Sequence, residues 1–77
     1  MSASTLIQLA FENVAAHISN IDAVRDAIDR IVKGVTTSAE VVTALEEMSD
    51  CEDVTLKTDL RILLNEVRHI LARESYR

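Results

Sequence analysis

The spacing of apolar residues in the first half of the chain restricts its fold more than any other feature. Apolar side chains recur there in alternating steps of four and three residues, and eight of nine such positions are apolar. We call these positions the first stripe: Ile7, Phe11, Val14, Ile18, Ile21, Arg25, Ile28, Val32 and Val35. This spacing places the side chains on one face of an α-helix, whereas a half-buried strand needs alternation at every second residue.

The stripe can belong to one helix or to two. Ser19 followed by Asp22 resembles a capping box, and Asn20 is a second candidate for a helix N-cap. The four-and-three spacing of the stripe nevertheless continues without a shift across these residues. A break in the helix would not require this continuity. We therefore predict one long helix over about 4–33, and the capping signals leave a bend near 19–22 open. Gly34 is expected to end this helix in the left-handed conformation.

Two more helices follow. Thr37 with Glu40 forms a capping-box pattern that predicts a short helix over about 38–48. The acid-rich segment 49–53 then predicts the start of a last helix, which runs from 51 or 54 to about 74. Its apolar stripe is Leu56, Leu60, Leu63, Val67 and Ile70. The predicted fold is an all-α small helical bundle, a single domain over 1–77, with two long antiparallel helices and a short one between them.

The apolar content predicts association. The chain has 77 residues, of which 48% are hydrophobic, and a domain of this size buries only about 60–65% of its unfolded surface. Apolar residues near the N-terminus lie on every side of the first helix. Ile62 lies among polar residues on the side of the last helix that faces away from its apolar stripe. We therefore expect a homodimer; the alternative is a monomer whose exposed leucines bind a different protein. The predicted interface residues are Leu6, Leu9, Phe11, Arg25 and Ile62.

Arg25 occupies an otherwise apolar stripe, and three roles are open for it. Its methylene groups can cover the stripe while the guanidinium reaches water. It can form an ion pair with Glu66 or Asp59, of the same chain or a second one, and so fix the register of association. The third role is binding a ligand.

The net charge of −5 is unevenly distributed. Residues 35–54 contain six acids and no base, whereas residues 55–77 contain five bases and three acids. The acids can be a solvated face that also favours helix N-termini, or a docking patch for a basic protein surface. The predicted acidic docking patch is Glu40, Glu46, Glu47, Asp50, Glu52 and Asp53.

The sequence does not favour catalysis or the binding of a metal or cofactor. His17, His69 and Cys51 are the only soft metal-ligand candidates, and none lies in a CxxC, HxxxH or HExxH spacing. We predict no metal, no cofactor and no catalytic residues. One cysteine fits a reducing compartment, and no stretch resembles a signal peptide or a membrane span. The cytoplasm is therefore the expected location.

These features together predict a small cytoplasmic helical protein–protein interaction module. Such a protein acts by docking, as an adaptor, assembly factor, chaperone-like protein or inhibitor. The alternative is a dimeric nucleic-acid-associated regulator that uses its basic C-terminal helix. Its candidate residues are Arg61, Arg68, Arg73 and Arg77. Eight basic against thirteen acidic residues do not favour nucleic acid as a partner.

Overall fold

Four α-helices make up most of residues 2–75, the part of the chain that the computed structural model describes. They are α1 (Ala3–Val14), α2 (Ile21–Gly34), α3 (Ser38–Met48) and α4 (Val54–Ser75), with a 3₁₀ turn over Ala15–His17. The described part is 84% helical and has no strand, so the prediction of a small all-α bundle is confirmed.

The prediction of one helix over 4–33 is wrong, because the chain leaves the helical path between α1 and α2. Ile18 is extended, with φ −85° and ψ 128°. Asn20 is the N-cap of α2, and its side chain accepts a hydrogen bond from the backbone N–H of Ala23 at 3.2 Å. The Asn20 signal therefore marks a true helix start, and α4 is the one long helix among the described residues.

Asp59 of α4 explains why the chain can turn at this corner. Its side chain is almost fully buried, and its two oxygens accept the backbone N–H groups of Ser19 and Asn20, each at 3.0 Å. In a capping box the third residue of a helix binds the N–H of the N-cap residue. That residue of α2 is Ala23, which cannot accept a hydrogen bond. Asp59 supplies the missing acceptor from another helix.

The other helices begin with local caps. Ser2 accepts the N–H of Thr5, Thr37 accepts that of Glu40, and Asp53 accepts that of Leu56. The short helix 38–48 is confirmed with the predicted bounds. The last helix begins at Val54, the later of its two predicted starts.

The core lies between α4 and the three other helices. Asn13 and Ser19 bind Glu66 and Asp59 respectively, so α1 and α4 run antiparallel. The first stripe does not stay on the core side across the corner. In α2 the stripe residues Ile21 and Arg25 are exposed, and the buried residues are Val24, Ala27, Ile28 and Ile31. The largest fully buried side chains of the core are Leu6, Ile7, Val24, Val41, Leu45, Asp59, Leu60, Leu63 and Val67.

Gly34 does not adopt the left-handed conformation expected of it, since no described residue has a positive φ. It is the last residue of α2, and the N–H of the following Val35 donates to the carbonyl of Ile31 at 3.0 Å. A Cβ atom built on Gly34 meets nothing within 4 Å. An L-residue therefore fits at this position.

We expect Gly34→Ala to raise the free energy of unfolding by about 0.4–1 kcal/mol, because alanine has less backbone freedom to lose on folding. Urea denaturation measures this change. The converse control, Ala39→Gly at an exposed site in the first turn of α3, should lower stability. Destabilisation by Gly34→Ala would mean that α2 ends differently.

We expect Asp59→Ala to lower the free energy of unfolding by about 1–3 kcal/mol, because two backbone donors lose a charged acceptor. Amide hydrogen exchange should accelerate at Ser19 and Asn20. Asp29→Ala removes an exposed carboxylate from α2 and should change stability by about 0.5 kcal/mol or less. Equal stability and unchanged exchange in Asp59→Ala would contradict the assigned role.

Candidate docking surfaces

One apolar groove opens between α2, the end of α3 and the first turns of α4. We call it the α2–α4 groove, and it encloses about 290 Å³. Its apolar lining is Ala23, Ala27, Met48, Leu56 and Leu60. The two alanines are four residues apart and lie on one face of α2. Their small side chains leave the space that larger residues would fill.

Two charged residues lie on the α2 side of the α2–α4 groove. Asp26 and Arg30 line it and form an ion pair at 2.9 Å, which contributes little because both side chains are exposed. Asp22 precedes Asp26 by one helical turn. The loop 49–53 connects Met48, which lines the groove, to the start of α4.

The six residues of the predicted acidic patch have different roles in the structure. Glu40 accepts the hydroxyl groups of Thr36 and Thr37 at 3.1 Å, Glu46 pairs with Arg68, and Asp53 caps α4. The other three form no ion pair within residues 2–75. They are Glu47, Asp50 and Glu52. Hydrogen bonds or an ion pair within the chain therefore explain three of the six acidic residues.

The predicted interface residues of α1 and α4 divide between core and surface. Leu6 is fully buried in its own chain, which corrects the expectation that it lies on the surface. α2, α3 and α4 all pack on α1, so the protein covers more of this helix than one neighbour could. Leu9 stays 36% exposed. Ile62 is half-buried against the core instead of projecting freely.

Leu9 and Ile62 lie on the same side of the protein. Asn13 donates a hydrogen bond to the Glu66 carboxylate at 2.9 Å across α1 and α4. Leu9 precedes Asn13 by one turn, and Ile62 precedes Glu66 by one turn. Since the helices are antiparallel, the two apolar residues flank this hydrogen bond on opposite sides. We call this surface the α1–α4 face.

Phe11 and Arg25 contact each other on a different side of α1. The Arg25 guanidinium lies 5.8 Å from the centre of the Phe11 ring. Both line a groove of about 340 Å³ between α1 and α2, together with Gln8, Glu12, Ile28 and Asp29.

Of the three roles open for Arg25, the ion pair within its own chain does not form. Within the described chain, Arg25 forms no ion pair with Asp59 or Glu66, whose carboxylates accept hydrogen bonds from the corner and from Asn13. The exposed Arg25 matches the first interpretation, in which the side chain covers the stripe and reaches water.

The basic residues of α4 form a small polar groove of about 380 Å³ against α3. Arg61, Asn65 and Arg68 line it at helical spacing, with Glu46 on the opposite wall. The ion pair between Glu46 and Arg68 compensates one of the two cations. Arg77 lies outside the described residues. This groove therefore has less uncompensated positive charge for binding an anion than the number of basic residues in α4 indicates.

Residues 2–75 contain no group of three potential metal ligands close together. His17 and His69 are exposed, and the Cys51 thiol lies 3.6 Å from the carbonyl oxygen of Asp53. None of the helices described is long and apolar enough to cross a membrane.

No protein-family model matches this chain, and comparison with curated proteins and with solved structures finds no significant match.

Two features of these surfaces were not predicted from the sequence. The α2–α4 groove depends on Ala23 and Ala27, whose four-residue spacing is visible in the sequence but is common in helices. The sequence predicts Asp59 as a polar neighbour of Ile62 and as one possible partner of Arg25, whereas the structure buries it. Its position on the flank of the α4 stripe, between Leu56 and Leu63, was the signal that it is buried.

We expect a weak favourable interaction between Arg25 and Phe11, because a cation over an exposed ring contributes about 0.5–1 kcal/mol. A double-mutant cycle with Arg25→Leu, Phe11→Leu and the double variant measures it by urea denaturation. Arg25→Leu alone should change stability little, since the guanidinium is exposed. A loss of several kcal/mol in that variant would indicate a buried ion pair instead.

Proposed function

We propose that the protein is a helical interaction module that acts by docking to other protein surfaces, without a catalytic centre of its own. The observation that carries this proposal is the α2–α4 groove, an apolar depression open to solvent and bordered by charge. Apolar surface of this kind favours contact, because each aliphatic side chain that becomes fully buried contributes roughly 1.5–3 kcal/mol. The cytoplasm is the proposed compartment, in keeping with the single cysteine.

We also propose a homodimer that forms through the α1–α4 face. Leu9 is one of three large apolar residues that the described chain leaves exposed. Ile62, on the same face, is half-buried. A two-fold axis near the bond between Asn13 and Glu66 would bring both apolar residues of each chain into one contact, as a self-complementary interface requires. Phe11 and Arg25 lie toward α2 on a different side of α1, so the proposed contact does not include them.

Leu9→Glu tests the dimer. We expect the parent protein to sediment as a dimer at tens of micromolar and the variant as a monomer, because the change places two charges in one apolar contact. The melting temperature of the parent should rise with protein concentration, whereas that of the variant should not.

Gln8→Glu is the matched control, since it adds the same charge one residue away on the exposed side of α1. It should leave the dimer intact. A monomeric mass for the parent at this concentration would refute the homodimer. Equal dissociation by both variants would show that total charge, and not the α1–α4 face, controls association.

A further inference from the structure

We propose that the corner between α1 and α2 is a hinge, and that its opening lets two copies of this chain exchange their α1 helices. In the open form, residues 15–20 become helical and join α1 and α2 into one long helix. α1 then packs in the core of the second copy, in the place that the second copy's own α1 occupies in the compact chain. This exchange goes beyond the docking function and does not depend on it.

The sequence supports a continuous helix through the corner. The chain has no proline, and its one glycine, Gly34, lies at the end of α2. The corner begins with Ala15 and Ala16, and alanine is the residue that most favours a helix. Nothing in the covalent structure of residues 3–33 therefore prevents an unbroken helix.

The compact fold leaves part of the first stripe unused. Ile18 is buried, but Ile21, the next residue of the stripe, is 39% exposed. In a continuous helix these two side chains lie three residues apart on one face. The four-and-three spacing across the corner is therefore satisfied by the open form and not by the compact one.

Asp59 stabilises the compact form specifically. There it accepts the N–H groups of Ser19 and Asn20, each at 3.0 Å. In a continuous helix the same two N–H groups donate to the carbonyls four residues earlier, those of Ala15 and Ala16. The open form supplies both acceptors from its own backbone, so losing the Asp59 carboxylate shifts the balance toward it.

A second copy of this chain is the occupant that fits the vacated core. α1 contributes five buried residues, which an open chain on its own exposes to water: Ala3, Leu6, Ile7, Ala10 and Val14. The surface that α1 leaves on the other helices has the shape of this one helix, and every copy carries both parts. Mutual exchange restores all contacts of α1, including the hydrogen bond from Asn13 to Glu66, so only the corner itself changes.

Refolding from urea at micromolar and at near-millimolar concentration tests the exchange. All chains carry Leu9→Glu, so that the α1–α4 face cannot produce the dimer. Light scattering gives the mass, and a mixture of isotope-labelled and unlabelled chains gives the nuclear Overhauser effects between chains. We expect a dimer after refolding at high concentration, with contacts between the buried methyl groups of α1 in one chain and those of α4 in the other. Refolding at low concentration should give the compact monomer.

Two variants move the balance in opposite directions. Asp59→Asn leaves a single acceptor oxygen, so it should raise the fraction of exchanged dimer several-fold. Ile21→Pro should abolish exchange, because a proline inside the continuous helix removes a hydrogen bond and clashes with the preceding turn. In the compact form this proline is the first residue of α2, where proline is favoured. Asn20 before it is already non-helical, with φ −121° and ψ 84°.

Ile21→Ala is the matched control, since it removes the same exposed side chain without breaking the helix. It should exchange like its Leu9→Glu parent. Circular dichroism checks that each variant is folded. If Asp59→Asn does not fold, the comparison of the parent with Ile21→Pro still decides.

Three results would overturn the proposal. The first is the absence of any core contact between chains after refolding at high concentration. The second is a dimer in which the contacts between α1 and α4 all lie within one chain, because another surface then causes association. The third is equal exchange by Ile21→Pro and Ile21→Ala, because the corner then opens without forming a continuous helix. None of these results bears on the docking function.

Discussion

The buried carboxylate of Asp59 is the interaction on which the arrangement of the four helices depends. By accepting the N–H groups of Ser19 and Asn20, it stabilises a corner at which the first stripe divides into α1 and α2. Without that corner, a continuous helix would carry the residues of α2 away from α3 and α4. With it, α2 packs back on both helices. The same corner brings Ala23 and Ala27 to face Leu56 and Leu60, so one hydrogen-bonded acid helps to create the apolar groove.

Local signals predicted the helix starts well, because a cap involves residues only three positions apart. The Thr37 pattern located α3, and Asn20 proved to be a true cap. The continuity of the first helix could not be judged in this way. Regular apolar spacing showed neither an unbroken backbone nor the buried face of α2, since the stripe residues Ile21 and Arg25 are exposed. The sequence also could not show that Leu6 is covered, because this depends on several helices packing around α1.

The two proposed surfaces use different sides of α4. The α1–α4 face lies along Ile62 and Glu66, where α1 packs, whereas the α2–α4 groove is lined by Leu56 and Leu60. A second chain on the first surface therefore leaves the second surface open. A dimer of this kind would present two such grooves. The ion pair of Arg68 with Glu46 belongs to a third side of the same helix.

The distance along the chain between Asp59 and its donors has a consequence for the order of folding. Ser19 and Asn20 precede their acceptor by about forty residues, so closing the corner requires a long loop of chain to be ordered first. On the ribosome, α1, α2 and α3 are all synthesised before Asp59. Until then, water satisfies the two N–H groups, and the angle between α1 and α2 lacks the constraint that Asp59 supplies. The corner between α1 and α2 thus gains its two hydrogen bonds only when α4 arrives, so a later helix completes the geometry of two earlier ones.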